Sequence, residues 1–173
     1  LLTRFYISDF KALEHLYYGK KIRDAEDFSY LNENVEYFAS SDDCIFTRRT
    51  ISSNGDCNNK ESLLTVEKNG VFSNRFQFDS AKMVDGFTSP FPTARKKSQT
   101  VCLTYIDAIS KVTLNQYYTV FDDSDVIATH TEVVNTTDTD VYVKKLASLQ
   151  LDFISTGFPI PRRGGCCSTL CPL

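Results

Sequence analysis

Residues 112–153 read VTLNQYYTVFDDSDVIATHTEVVNTTDTDVYVKKLASLQLDF, and this stretch decides the fold class. In its first ten residues, β-branched and aromatic side chains alternate between two faces, with Val112, Leu114 and Tyr118 on one face. Successive side chains of a strand point to opposite sides, so the alternation predicts a strand with two occupied faces. A turn at 122–125 follows, because Asp and Ser hydrogen-bond to their own backbone.

The rest of the stretch repeats this scheme. A second strand is predicted at 126–134, a polar turn at 135–140 and a third strand at 141–146. Beyond them, Leu149, Leu151 and Phe153 share one face of a fourth predicted strand. Four strands joined by short turns predict an antiparallel meander.

Short strands are also predicted in the rest of the chain. Strands are predicted at 1–7, 13–18, 35–39, 44–51 and 101–106, with Gly19 closing the second through a positive φ. The Asn69-Gly70 dipeptide predicts a hairpin between 63–68 and 71–78. Polar residues 22–34 and the proline-containing residues 86–97 are expected to be loops. About ten short strands without a notable amphipathic helix predict an all-β antiparallel sandwich with few or no helices.

Three segments resemble one protein family. YTVFDDSDVIATHTEVVN at 118–135 is similar to a pattern in the N-terminal domain of glycoside hydrolase family 36, the α-galactosidases. KLASLQLDF at 145–153 and HLYYGKKI at 15–22 resemble two further segments of that domain, in the same order. The resemblance covers residues 1–153 and implies a β-sandwich that is part of a larger supersandwich. Residues 154–173, rich in Pro, Gly and Cys, form an irregular tail that resembles nothing in the family.

The resemblance also implies a function. The family hydrolyses terminal α-galactosides with retention, which requires two carboxyl groups ~5–5.5 Å apart. In the family both are aspartates of a (β/α)8 barrel, which these 173 residues do not contain. We therefore expect a non-catalytic N-terminal fragment, with α-galactoside sugars as partners of the full-length enzyme only. The alternative is a free-standing carbohydrate-binding or structural sandwich, although the sequence has no Trp to serve as a sugar platform.

One position is a candidate substrate contact. The segment Asn54-Gly55-Asp56-Cys57 lies where the family often has a G-D-F/Y-R sequence near the active-site side of the assembly. Gly55 and Asp56 match that sequence, but Asn58 stands in place of the arginine. The resemblance thus implies a substrate-binding role for Asp56, whereas the residues alone predict a hydrogen-bonded turn.

Composition excludes other classes of function. A net charge of −3 and dispersed basic residues argue against nucleic-acid binding. No apolar run approaches the ~18 residues that span a bilayer, so no membrane partner is expected. The six cysteines lack the paired spacing of a zinc site, and no metal or other cofactor is predicted. The resemblance and the absence of a recognisable signal peptide imply a cytoplasmic location, in which the cysteines are expected to be free thiols. The high aliphatic and aromatic content also argues against a disulfide-rich secreted domain.

Self-association is the last expectation. A sandwich cut after residue 153 would leave strand edges and an apolar face unpaired, and unpaired edges recruit other chains. Leu149, Leu151 and Phe153 are expected to be among the exposed residues.

Overall fold

The computed structural model describes residues 2–7, 11–20, 49–56, 61–84, 99–121 and 124–151. All regular elements in these residues are β-strands, as the sequence predicts. The described part of the chain contains no helix with the length and apolar character that a membrane crossing requires. The strands are β1 (Leu2–Ile7), β2 (Leu13–Gly19), β3 (Leu64–Glu67), β4 (Phe76–Met83), β5 (Gln99–Asp107), β6 (Val112–Val120), β7 (Ile127–Asn135) and β8 (Tyr142–Leu146).

The strands form three antiparallel sheets. The largest has the order β4-β5-β6-β7, so each of its strands pairs with its neighbour in the sequence. The two smaller sheets pair β1 with β2 and β3 with β8. An antiparallel all-β architecture is therefore confirmed.

Strand β6 lies in the interior of the largest sheet and shows why the sequence adopts this fold. Val112, Leu114, Gln116 and Tyr118 are all buried on one face. The intervening positions 113, 115 and 117 are only half-buried. This is the alternation expected when one face of a sheet covers a core and the other does not.

Side chains from the large sheet and from both small ones contribute to one hydrophobic core. The ring of Phe5 in β1 contacts the ring of Tyr118 in β6, with centroids 5.2 Å apart. The Thr50 and Tyr105 hydroxyls form a buried hydrogen bond of 2.8 Å. The buried hydrophobic cluster comprises Leu13, Ile51, Leu63, Leu64, Val66, Phe76, Leu103, Tyr105, Val112, Leu114 and Tyr118.

The Asn69-Gly70 turn forms, but the predicted hairpin is wrong. Asn69 and Gly70 have φ values of 53° and 78°, as a two-residue hairpin turn with two positive φ angles requires. The turn closes only one bridge, between Lys68 and Val71. The amide of Val66 then donates to the side-chain Oδ1 of Asn74 instead of a facing strand. Strand β3 pairs with β8, and β4 pairs with β5.

The meander prediction is also wrong at its C-terminal end. Strand β8 leaves the large sheet to pair with β3 and does not continue beside β7. Residues 147–151 form no strand. Leu149 is partly buried and packs against the core, so its predicted exposure is wrong as well, and Leu151 is half-buried.

Some predictions differ in detail or lie outside the described residues. Gly19 ends β2 as predicted but without a positive φ. Instead, a side chain there would meet the Tyr17 hydroxyl at 2.8 Å. Several predictions lie outside the described residues, namely the loops at 22–34 and 86–97 and the strand at 35–39. The same holds for Asp122, Asp123, Phe153, the tail at 154–173 and all cysteines except Cys102.

Candidate functional site

The candidate residue Asp56 ends a tight turn that begins at Ser53. The Asp56 amide donates to the Ser53 carbonyl oxygen at 3.1 Å, and the Ser53 amide donates to Asp56 Oδ2 at 2.7 Å. Asn54 and Gly55 occupy the tip of this turn. The hydrogen-bonded turn that the residues predict is therefore confirmed.

The carboxylate of Asp56 is buried and paired with a buried arginine. Asp56 Oδ1 lies 2.8 Å from a guanidinium nitrogen of Arg49, and both side chains are almost inaccessible to solvent. The half-exposed Arg75 places Nε 3.9 Å from the same oxygen. A buried carboxylate is tolerated where a cation and hydrogen bonds compensate for its lost hydration.

The turn at 53–56 is bound along one side to residues 72–76. Asn54 donates from Nδ2 to the Phe72 carbonyl oxygen at 2.5 Å and accepts at Oδ1 from the Asn74 amide at 2.8 Å. The Gly55 amide donates to the Asn74 carbonyl oxygen at 2.8 Å. A Cβ at Gly55 would lie 2.6 Å from that oxygen, so only glycine fits here without displacing backbone.

A second buried carboxylate, Asp107, organises the neighbouring turn. Its Oδ2 accepts from the Ser110 amide at 3.0 Å and from the Ser110 hydroxyl at 2.5 Å. Its Oδ1 accepts from the Arg75 amide at 3.1 Å. Arg75 therefore links the two carboxylates, through its backbone to Asp107 and through its side chain to Asp56. The sequence analysis missed Asp107, although an Asp three residues before a Ser is a common turn pattern.

A polar row crosses the outer face of the large sheet. The rings of Tyr117 and His130 stack with centroids 4.4 Å apart and an angle of 6°. Glu132 Oε2 accepts from the Tyr117 hydroxyl and from Asn115 Nδ2, each at 3.1 Å. Thr104 donates to Asn115 Oδ1 at 3.1 Å and extends the row onto β5.

Partial burial shifts the pKa values of the two stacked rings. Loss of hydration raises the pKa of Tyr117, and Cys102 and Glu132 beside it raise it further. Loss of hydration lowers the pKa of His130, although the Glu132 carboxylate opposes the shift. At neutral pH these groups therefore form a row of uncharged rings next to one carboxylate.

The two carboxylate turns and the polar row stabilise the fold, and none of them places two carboxyl groups opposite each other at the surface. Asp56 and Asp107 each accept hydrogen bonds from backbone amides of adjacent turns. In the part of the chain that is described, no three His, Cys, Asp or Glu side chains group closely enough to hold a metal ion. A substrate contact by Asp56 stays a prediction. In the structure its carboxylate is 0% exposed and is paired with the Arg49 guanidinium.

Comparison with known proteins agrees with this architecture. The sequence profile of the Glycosyl hydrolase family 36 N-terminal domain matches residues 11–160. Alpha-galactosidase Mel36A of Lactobacillus acidophilus is 26% identical over 176 residues, which cover 89% of this chain and 23% of that enzyme. Alpha-galactosidase 1 of Pediococcus pentosaceus is 28% identical over 75 residues, covering 43% of this chain and 10% of its own length.

Two solved structures share the fold. The alpha-galactosidase from Lactobacillus brevis superposes with a TM-score of 0.71 at 19% identity, over 87% of this chain and 22% of its own. The alpha-galactosidase AgaA from Geobacillus stearothermophilus, solved in complex with raffinose, gives a TM-score of 0.70 at 15% identity, over 87% and 23%. The chain thus spans about a quarter of the length of these relatives.

Proposed function

Because the chain belongs to the N-terminal domain family of glycoside hydrolase family 36, we propose that it is the non-catalytic β-sandwich region of an α-galactosidase. The enzyme as a whole would hydrolyse terminal α-galactosides of the raffinose type. The family match over residues 11–160 carries this proposal. It is supported by relatives that are α-galactosidases, one of them solved with raffinose bound.

The region's part in the enzyme is structural under this proposal. Two buried carboxylates, those of Asp56 and Asp107, stabilise turns, so they are unsuited to act as a nucleophile and an acid. Retaining hydrolysis needs two carboxyl groups ~5–5.5 Å apart on either side of the sugar bond. Those groups would come from another part of the enzyme.

Capture of the native protein tests the proposal. Antibodies raised against this chain would isolate the protein that contains it, and mass spectrometry would define its full length. We expect the captured protein to hydrolyse p-nitrophenyl α-galactoside and the isolated chain to be inactive. A captured protein that binds galactosides without hydrolysing them would instead support a free-standing binding domain. If the isolated chain hydrolysed the substrate and Asp56→Asn abolished that activity, the non-catalytic role would be contradicted.

The same enzyme tests whether Asp56 contacts substrate. In the full-length protein, a direct contact predicts that Asp56→Asn raises KM for the galactoside even where the folded fraction is unchanged. A purely structural role predicts a lower thermal midpoint with KM unaltered. The two roles are therefore separated by measuring KM and stability on the same preparation.

We further propose that the isolated chain self-associates through one end of its sheets. Lys68 Nζ donates to the Ser110 carbonyl oxygen and to the Thr137 hydroxyl, at 2.7 and 2.8 Å, and so joins three turns. Exposed apolar side chains lie on or beside these turns, which is unusual for a free surface. They are Val71, Phe72, Ile109 and Tyr142, between 49% and 68% exposed.

Sedimentation analysis over a range of concentrations tests this proposal. We expect oligomers in the wild-type chain and a shift toward monomer in the double variant Phe72→Ser with Ile109→Ser. Met83→Ser is the matched control, since Met83 is 60% exposed but lies at the end of β4 remote from the Asp107 turn. A wild-type chain that is monomeric at all concentrations would contradict self-association.

A cytoplasmic location is the last part of the proposal. It is supported by six cysteines in a chain of 42% hydrophobic residues, a composition unlike small disulfide-bonded secreted domains. Alkylation at lysis should then label all six thiols. Six blocked thiols, together with a glycan on the Asn135-Thr136-Thr137 sequon, would indicate secretion instead.

A further inference from the structure

The described residues include two Asn-Gly dipeptides in very different surroundings. In such a dipeptide the backbone nitrogen of glycine can attack the asparagine side-chain amide carbon, because glycine has no Cβ to obstruct the approach. The reaction requires a free glycine N–H and a side-chain amide that can rotate toward it. The hydrogen bonds of each dipeptide therefore decide its reactivity in the folded chain.

Asn69-Gly70 meets both requirements. The two residues form the exposed tip of the turn between Lys68 and Val71. Among the described residues, neither the side-chain amide of Asn69 nor the Gly70 N–H has a hydrogen-bond partner. No atom lies within 4 Å of the position that a Cβ on Gly70 would occupy. The turn is thus unobstructed and its reacting groups are available.

In Asn54-Gly55, hydrogen bonds hold both the glycine N–H and the asparagine side-chain amide. The Gly55 N–H donates to the Asn74 carbonyl oxygen at 2.8 Å. The Asn54 amide group donates to the Phe72 carbonyl oxygen and accepts from the Asn74 N–H. Three hydrogen bonds must open before the nitrogen of Gly55 can reach the side chain of Asn54.

We propose that Asn69 is a site of spontaneous deamidation in the folded protein and that Asn54 is protected. The Gly70 nitrogen loses its proton and forms a bond to Asn69 Cγ, and the side-chain nitrogen leaves as ammonia. Water then opens the resulting succinimide at either carbonyl carbon. The products are an aspartate or an isoaspartate at position 69, and water is the one reactant consumed.

The isoaspartate product changes the turn that contains it. It adds one carbon to the backbone between two residues that both hold a positive φ. The paired hydrogen bonds between Lys68 and Val71, both 2.9 Å, depend on the present spacing. Deamidation therefore introduces a negative charge and opens the turn next to the exposed Phe72.

Peptide mapping of the folded chain after incubation in mildly alkaline buffer tests the proposal. Mass spectrometry measures the acid formed in each peptide, and isoaspartyl methyltransferase labels the isoaspartate. We expect conversion at Asn69 to be about tenfold or more faster than at Asn54, because three hydrogen bonds protect the latter. In urea the two dipeptides should react at comparable rates, since only the fold distinguishes them.

The variant Asn69→Gly supplies the control. It keeps a residue that accepts a positive φ and removes the reacting amide. Its circular dichroism should match the wild type, while the acid at position 69 and the label there should be lost. The proposal would be overturned if Asn54 converted as fast as Asn69 in the folded chain. It would equally be overturned if Asn69 stayed intact while both dipeptides reacted in urea.

Discussion

Asp56 shows what one buried charge contributes to this fold. Its carboxylate compensates the buried Arg49 guanidinium and accepts the Ser53 amide, so a single residue ties the segment at 49–53 to its own turn. The ion pair of Glu67 with Lys144 has nearly the same length, 2.8 Å, but lies at the surface. Surface pairs stabilise weakly because water already solvates both charges, whereas a broken buried pair leaves one charge unsolvated.

We therefore expect Asp56→Asn to lower the free energy of unfolding by about 3–5 kcal/mol. Glu67→Gln should cost less than about 1 kcal/mol. Urea denaturation of the two variants beside the wild type measures both values. Equal losses would show that the Arg49 pair is no more important than a surface contact.

Gln116 contrasts with Asp56, because its buried polar group is not compensated. It is 0% exposed in the middle of β6, and neither atom of its amide group has a hydrogen-bond partner in the described structure. Gln150 is the matched case, since its amide donates to Ser52 Oγ at 2.6 Å and accepts from the Ser52 amide at 2.9 Å. An unpaired buried amide destabilises, whereas a paired one stabilises.

The same substitution should thus have opposite signs at the two positions. Gln116→Met should raise the free energy of unfolding by about 1–3 kcal/mol, because it removes an unpaired polar group. Gln150→Met should lower it by about 1–3 kcal/mol through the loss of two hydrogen bonds. Thermal unfolding of both variants gives the comparison. A destabilised Gln116→Met protein would indicate that the amide has a partner, such as a buried water.

At the scale of elements, the contact between β6 and β7 makes stability depend on pH. Burial lowers the pKa of His130 in the folded state, so the unfolded chain binds more protons just below the ordinary histidine pKa of ~6.5. Stability therefore rises with pH in that range and falls as pH decreases. Neighbouring Glu132 reduces this effect but does not reverse it.

His130→Phe should remove that part of the pH dependence while it keeps a ring stacked on Tyr117. Between about pH 7 and pH 5, the wild type should lose more stability than the variant. The second histidine, His15, is present in both proteins and cancels in the difference. Parallel stability curves for the two proteins over this range would contradict the prediction.

The elements also show how far the sequence predicts the fold. Strands β5 and β6 follow from local alternation, because each has one buried face and pairs with a strand next to it in the sequence. Strand β7 also pairs with its sequence neighbour, but its apolar residues Ile127 and Val133 are only partly buried against the core. The partner of β3 does not follow, since the Asn69-Gly70 turn favours a local hairpin. The hairpin does not extend because the side chain of Asn74, within its own second arm, accepts the Val66 amide. Asn54, from the turn at 53–56, also donates to the Phe72 carbonyl oxygen.

The candidate site was predictable to the same extent. The turn at Asp56 is local and follows from Asn-Gly-Asp chemistry. The burial of its carboxylate is not local, because Arg49 and Arg75 approach it from segments whose positions only the folded chain defines. For Asp107, the contact with Ser110 is local, whereas its burial and its contact with the Arg75 amide, 32 residues away in the sequence, are not.

At the scale of the whole molecule, buried phenols limit stability in alkali. Burial raises the pKa values of Tyr105 and Tyr118, and burial with nearby Cys102 and Glu132 raises that of Tyr117. These phenols keep their protons in the folded chain at pH values where the unfolded chain loses them. Stability therefore falls as pH rises through the ordinary tyrosine pKa of ~10.

We expect these three tyrosines to ionise only as the chain unfolds. Ultraviolet absorbance follows phenolate formation, and circular dichroism recorded on the same samples follows unfolding. In urea all nine tyrosines should titrate in one step near the ordinary pKa. Ionisation of all nine in a chain with unchanged circular dichroism would refute the prediction.

The pairing of β3 with β8 has a consequence for how the protein is made. The Ser52 amide binds a side chain 98 residues further along the chain, and β3 finds its partner in β8, close to the same point. A ribosome adds ~5–20 residues per second, so the first part of the nascent chain waits several seconds for these partners. During that interval Leu63, Leu64 and Val66 are without the strand that helps to cover them, and they are the segment that a chaperone would bind during translation.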